Sequence, residues 1–377
     1  MNNYLIVNEI GSGQFGKVYR ATRKSDNKVI ALKVINIPEG KDYLIEITQL
    51  EIDILKTLSQ PNCNPFVICY YGSHYDKQNR QFLIEMELVE GKTMQDYVDD
   101  LRANKVSKQV YYYLLLIAKD LLQGLKYTHR KNIIHNDIKP TNIMIDNNNV
   151  PRIIDYGLSC TTVNEGKYGK HCDVKGGTAD FIPPEFIDDD IRLPASDLWA
   201  LGITLYQSAM EGKMPYNIGQ YAPIPVLFDF ILSEEPNKLN TSNKQLNDLV
   251  NGLLVRDPTK RLTADQALKM LDKIEKPVFG QGEPTGALEK LDSQTGVKPP
   301  DKPRQFNTPT KPTQRVRLDR DLSSFEMIGN NNNYGFITPE PGTKPVTAMN
   351  KPPARARDTF GSIPSIKKDL ILSFVYL

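Results

Sequence analysis

Two carboxylates, an amide and two lysines are spaced along this chain in a way that suits phosphoryl transfer. His135-Asn136-Asp137-Ile138-Lys139-Pro140-Thr141-Asn142 is followed, thirteen residues after Asn142, by Asp155-Tyr156-Gly157. The chemistry needs a carboxylate to orient an attacking hydroxyl, oxygen donors to hold Mg²⁺, and a cation beside the moving phosphate. Asp137, the pair Asn142 and Asp155, and Lys139 are of those types. Upstream, Gly11-Ser12-Gly13-Gln14-Phe15-Gly16-Lys17-Val18 would let a hairpin close over phosphates with its backbone N–H groups toward them. Lys33 alternates onto the strand face opposite Leu32 and could reach the same phosphates.

Positioning these groups takes a β-rich beginning and a helical continuation. Residues 4 to about 37 alternate apolar and polar positions around glycine turns, and Lys41 to Leu58 carries Ile45, Leu50, Ile54 and Leu58 at helical spacing. A dinucleotide fold would place a helix directly after the glycines, whereas Val18 to Ala21 and Val29 to Val34 look like strands. Phe82 to Leu88 reads as a further strand and Val106 to His129 as a long, mostly buried helix. Asn142 to Asp146 and Arg152 to Asp155 bracket the turn Asn147-Asn148-Asn149, so the two metal candidates flank one hairpin. Helical patterns return at Ser196 to Glu211, Asn243 to Leu254 and Ala264 to Lys273, the last capped by Thr263.

The chain has 377 residues, 40% hydrophobic and 24% charged, with a formal net charge of +2. That balance gives no reason to expect nucleic acid as a partner. No apolar run approaches a membrane span, and the start lacks the pattern of a secretory leader, so an intracellular, cytoplasmic protein is expected. Cys63, Cys69, Cys160 and Cys172 form no CxxC pair, so neither a disulfide framework nor a structural metal is expected.

With these motifs in this order, residues 4 to about 276 resemble a eukaryotic-type protein kinase domain of the serine/threonine branch. The resemblance implies an α+β, bilobal fold: a small β-rich N-lobe with one helix (4–88) and a larger, mainly helical C-lobe (89–276). It also implies ATP and Mg²⁺ as cofactors and proteins as substrates. Asp137 would be the catalytic base, Lys139 would neutralise the moving phosphoryl group, and Asn142 and Asp155 would hold the metal. Lys33 would grip the α and β phosphates while paired to Glu51, with Glu46 as the reserve. Ile10, Gly11, Ser12, Gly13, Gln14, Phe15, Gly16 and Val18 would cover the nucleotide. Ala31 and Met144 would sandwich the adenine with Val18, Met86 would stand at the gatekeeper position, and Glu87 and Val89 would offer backbone groups. The resemblance also pairs Glu185 with Arg261, braces the catalytic loop on Asp197, and stacks Leu55, His135 and Tyr156.

The pattern departs from the family at several points. Asn136 stands where an arginine usually binds a phosphorylated activation segment, which implies activity without such a phosphate. Tyr156 replaces phenylalanine, Phe181 a tyrosine and Pro183 an alanine. The Lys139 to Asn142 run and Thr178 favour serine and threonine acceptors. A pseudokinase scaffold acting through its tail is the alternative, and a small-molecule kinase is disfavoured by the substrate shelf Gly177 to Glu185. Residues 277–377 are rich in Pro, Thr, Gly, Lys and Asn and read as a disordered tail with a short apolar end at Leu370 to Leu377. Thr308-Pro309 and Thr338-Pro339 are candidate phosphoacceptors there, and the tail is a candidate segment for docking partners.

Overall fold

The computed structural model describes residues 3–13, 16–103, 107–162, 164–166, 169–172, 176–218 and 222–272. Gln14, Phe15 and the expected tail lie outside them. A five-stranded antiparallel sheet comes first, in the order β1-β2-β3-β5-β4, from β1 (Tyr4–Gly13), β2 (Gly16–Arg23), β3 (Lys28–Asn36), β4 (Tyr70–Asp76) and β5 (Gln81–Met86). Its core is Ala21, Ile30, Leu32, Val34 and Leu83. Gly13 faces Gly16 at the β1–β2 turn, and a side chain at position 16 would drive its Cβ to 2.2 Å from the Val34 carbonyl oxygen. Only glycine fits there.

Helix α1 (Tyr43–Leu58) links β3 to β4. Its buried face is Thr48, Glu51, Ile52, Ile54, Leu55 and Leu58, while Leu50 is exposed. The sequence pattern had Leu50 on the apolar face; it is out of phase with the spacing of positions 48, 51, 52 and 55, which points inward. The strand expected to reach Leu88 stops at Met86, where the Glu87 N–H turns to the Cys69 carbonyl (2.8 Å) and the chain leaves the sheet.

The second lobe is mainly helical. Strand β6 (Gly91–Thr93) and helices α2 (Met94–Ala103) and α3 (Ser107–Arg130) precede the short strands β7 (Ile133–Ile134), β8 (Ile143–Asp146) and β9 (Pro151–Ile153), and β6-β8-β9 form a small sheet. The pairs β10 (Cys160–Thr161) with β7, and β11 (Asn164–Gly166) with β12 (Gly169–His171), follow. Helices α4 (Pro184–Asp189), α5 (Pro194–Ala209), α6 (Ile224–Ser233), α7 (Lys244–Leu253) and α8 (Ala264–Met270) complete it. The helix starts are specified locally. Pro194 opens α5 with the Leu193 N–H donating to Ser196 Oγ, and Thr263 and Gln266 cap α8 reciprocally. Helix α5 is buried nearly all round, with Trp199, Leu201, Ile203 and Leu205 each at 0% exposure, so it forms the centre of the lobe.

The structure joins Cys63 to Cys69 and Cys160 to Cys172, with Cα separations of 5.4 and 6.4 Å. This corrects the expectation drawn from cysteine spacing. Both pairs are brought together by loops that double back, at sequence separations of 6 and 12, which no short motif signals. Among the described residues no helix is long and apolar enough to cross a membrane.

Candidate active site

The fold gathers the candidate groups between the lobes. From β3, Lys33 Nζ reaches Glu51 Oε1 of α1 at 2.6 Å and Asp155 Oδ1 at 3.3 Å. Glu46 lies exposed elsewhere on α1. Burial alone would lower the Lys33 ammonium, but the charges of Glu51 and Asp155 outweigh it and raise it above the usual lysine range. Lys33 in turn holds the Asp155 carboxyl below the usual range. The Asp155 side chain is 44% exposed, so its carboxylate faces open space as well as Lys33.

Around Asp137, Asn142 and Lys139 are placed by the local turn, whereas Thr178 comes in from a distant part of the chain. Asn142 closes the 3₁₀ turn Pro140–Asn142, and its Nδ2 donates to Asp137 Oδ2 (2.7 Å) and to the Asp137 carbonyl (2.9 Å). Lys139 Nζ lies 3.1 Å from Asp137 Oδ2 and donates to Thr178 Oγ1 at 2.8 Å. Thr178 donates to Asp137 Oδ1 through its hydroxyl (2.7 Å) and its backbone N–H (3.3 Å). Asn136 and Asp155 have φ of 69° and 61°, left-handed values that Asn and Asp tolerate best.

A sequence model of the protein kinase domain matches residues 4–271. The chain belongs to the protein kinase domain family. It is 32% identical over 273 residues, 72% of its length, to a probable serine/threonine-protein kinase of Dictyostelium discoideum. It is 29% identical over 266 residues (70% of the chain) to mitogen-activated protein kinase kinase 3 of Arabidopsis thaliana, and 28% identical over 264 residues to Aurora kinase of Candida glabrata. The matched stretch spans 56% and 48% of the first two relatives and 68% of the third, so the chain covers about half the length of the first curated relatives.

In this kinase domain the loop that carries Asp137 is held in place by Asp197. The fully buried Asp197 carboxylate accepts from the backbone N–H groups of His135 and Asn136, both at 2.9 Å, and contacts His129 Nε2 at 2.8 Å. Burial works against its ionisation, yet these donors keep its carboxyl below the usual range. The His135 and Tyr156 rings meet edge to face at 4.6 Å, and Leu55 is 1% exposed. Glu185 receives both guanidinium nitrogens of Arg261 at 2.9 Å, with neither side chain more than 1% exposed.

The positions expected to face a nucleotide lie on the sheet and on β8. Ile10 is 46% exposed on β1, Val18 lies opposite Lys33, and Ala31 pairs with Met86 across β3 and β5. Met144 sits half-buried on β8 in the other lobe. The Glu87 side chain pairs with Arg152, and its N–H is already taken by Cys69. Sequence reasoning missed Arg192, a buried cation under the segment that carries Thr178. Its neighbourhood is set by long-range packing, and the stretch Phe186 to Leu193, which also carries Asp188, Asp189 and Asp190, gives no sequence signal for it.

Proposed function

We propose that the chain is a serine/threonine protein kinase that transfers the γ-phosphoryl group of ATP, with Mg²⁺, to protein hydroxyls, and that residues 4–276 form its catalytic domain. The contiguous contact set from Glu51 through Lys33 to Asp155, facing the Asp137–Lys139–Asn142–Thr178 cluster, supports this reading above any other observation. In it, Asp137 orients the acceptor hydroxyl and takes its proton as the oxygen–phosphorus bond forms and the bond to the departing nucleotide breaks. Lys139 lies beside Asp137 and balances charge on the transferred group. Thr178, bonded to both, holds the acceptor shelf in register with the base.

The residues fit the metal and nucleotide. Asn142 turns its amide nitrogen to Asp137, which puts Oδ1 on the other side of the planar group, and Asp155 offers a carboxylate that is 44% exposed. Two hard oxygen donors suit Mg²⁺, which supplies charge neutralisation to the phosphates when bound. Lys33 would hold the α and β phosphates. The Gly11, Ser12, Gly13 and Gly16 hairpin would cover them, and Val18, Ala31, Met86 and Met144 would enclose the base. Any bond from Glu87 to the nucleotide would use its carbonyl, since its N–H is committed.

Incubating the protein with labelled ATP, Mg²⁺ and a peptide library tests the reading. Label should enter serine and threonine peptides, and Asp137→Asn should abolish transfer while nucleotide binding survives. Equal transfer by the variant would refute the assignment. Independence from activation-segment phosphorylation belongs to the same proposal. Asn136 supports it, because its Nδ2 already holds the segment through the Leu158 carbonyl (2.9 Å) and Cys160 Sγ (3.1 Å). Phosphatase treatment should leave activity unchanged; complete loss would end that part.

A further inference from the structure

Arg192, between α4 and α5, is 2% exposed, and its guanidinium carbon lies 3.8 Å from the centre of the Phe186 ring. Nη2 donates to the Gly176 carbonyl, while Nε is buried with no hydrogen-bond partner. Arg261 has Glu185; among the described residues no carboxylate forms an ion pair with Arg192. Burial pulls its guanidinium down to about 10, against the more distant charges of Glu185, Asp197 and Asp137. A buried cation without a paired anion is costly, and an apolar side chain of similar volume would pack at such a site without that penalty. Packing alone therefore gives no reason for an arginine here.

Its contacts do. The Arg192 N–H and carbonyl exchange hydrogen bonds with the carbonyl and N–H of Cys172, at 3.0 and 3.1 Å. Its side chain then reaches Gly176 and presses on Gly177, where an added Cβ would meet Nη2 at 2.9 Å and the Asn136 carbonyl oxygen at 3.5 Å. Gly176 and Gly177 have φ of 127° and 130°, a conformation that only glycine adopts without strain. Thr178, the next residue, holds Asp137 Oδ1 and receives Lys139. Three consecutive residues thus run from the guanidinium to the proposed base.

We propose that Arg192 is a positioning residue for phosphoryl transfer: from beneath, it fixes Gly176 and Gly177 so that Thr178 stands against Asp137 and Lys139. The proposal rests on the kinase reading above. It accounts for a buried guanidinium that has no ion pair among the described residues and for two adjacent glycines at positive φ. It also supplies an internal tie on the segment whose other end is held by Asn136.

The test uses Arg192→Met, Arg192→Lys, Thr178→Val and the two double variants, measuring melting temperature, KM for ATP and kcat on a peptide acceptor. Arg192→Met should keep its melting temperature and its KM for ATP while kcat falls about 100-fold, the scale of a misplaced reacting group. Arg192→Lys, which keeps the charge but loses the flat fork, should fall between. Each double variant should lose no more than the worse single, because both changes act through the Thr178 contact. If Arg192→Met does not fold, Arg192→Lys and its double with Thr178→Val carry the test. Full kcat in the Arg192 variants, or losses that add to that of Thr178→Val, would overturn the positioning role. A wild-type protein that phosphorylates no acceptor would instead overturn the kinase reading.

Discussion

Replacing Glu51 by glutamine keeps the shape of the Lys33 contact and removes one charge. At 2.6 Å the attraction is about 6 kcal/mol, and the Asp155 contact at 3.3 Å adds about 5, for an effective dielectric of about 20. Desolvation offsets most of both, and the 44% exposure of Asp155 screens its share further. Removing one partner of a buried pair generally costs about 3–5 kcal/mol, and with Asp155 still beside Lys33 the lower figure applies. The freed ammonium should close on Asp155, the proposed metal ligand, and compete with Mg²⁺ for it. Urea unfolding should therefore show a loss of about 3 kcal/mol, and a magnesium titration of kinase activity should shift to higher concentration. An unchanged unfolding midpoint together with an unchanged magnesium requirement would refute the reasoning.

Three further outcomes are expected. Asp155 and Asp197 both have lowered folded-state carboxyl pKa values, so their contribution is complete above the unfolded value of about 4 and is lost as pH falls through the folded values; stability should fall steeply below about pH 4, and Asp197→Asn should flatten that limb. Cys172→Ala, in a Cys63→Ser background, should lower stability by about 2–4 kcal/mol under oxidising conditions and remove the response to reductant, as followed by thermal melts. Glu185→Gln should cost about 3–5 kcal/mol by stranding the Arg261 guanidinium, and adding Arg261→Met should recover much of it, as measured by denaturant unfolding.

What was legible in the sequence follows the range of the interactions. The spacing of Asp137, Asn142 and Asp155 is set by one turn and one hairpin, so the chain order nearly fixes their proximity. Lys33 could be placed by strand alternation, and of the two α1 candidates it meets Glu51, the preferred one, rather than the reserve Glu46, which helical phase leaves exposed. Helical phase likewise leaves Leu50 exposed, where the sequence pattern set it on the buried face. The cysteine pairs were hidden for a related reason: their contacts arise where loops double back, and side-chain type alone carries no record of that.

Arg192 shows the limit most clearly, and the comparison with Arg261 shows what decides it. Both guanidinium groups are buried in the helical lobe, and both lie over an aromatic ring. Arg261 is compensated: it meets Glu185 with two hydrogen bonds and gives others to the carbonyls of Ala195 and Val255. It ties α4 to the start of α5 through Glu185 and the Ala195 carbonyl, and the family resemblance already implied the pairing with Glu185. Arg192 gives its side-chain bond to a backbone carbonyl, so nothing in the identity of its partner marks the pairing. A carbonyl can be held by any donor of the right reach, but a guanidinium does it with a planar group that also limits how closely Gly177 approaches. The two arginines should therefore respond oppositely to removal of charge, Arg261 losing stability and Arg192 losing turnover.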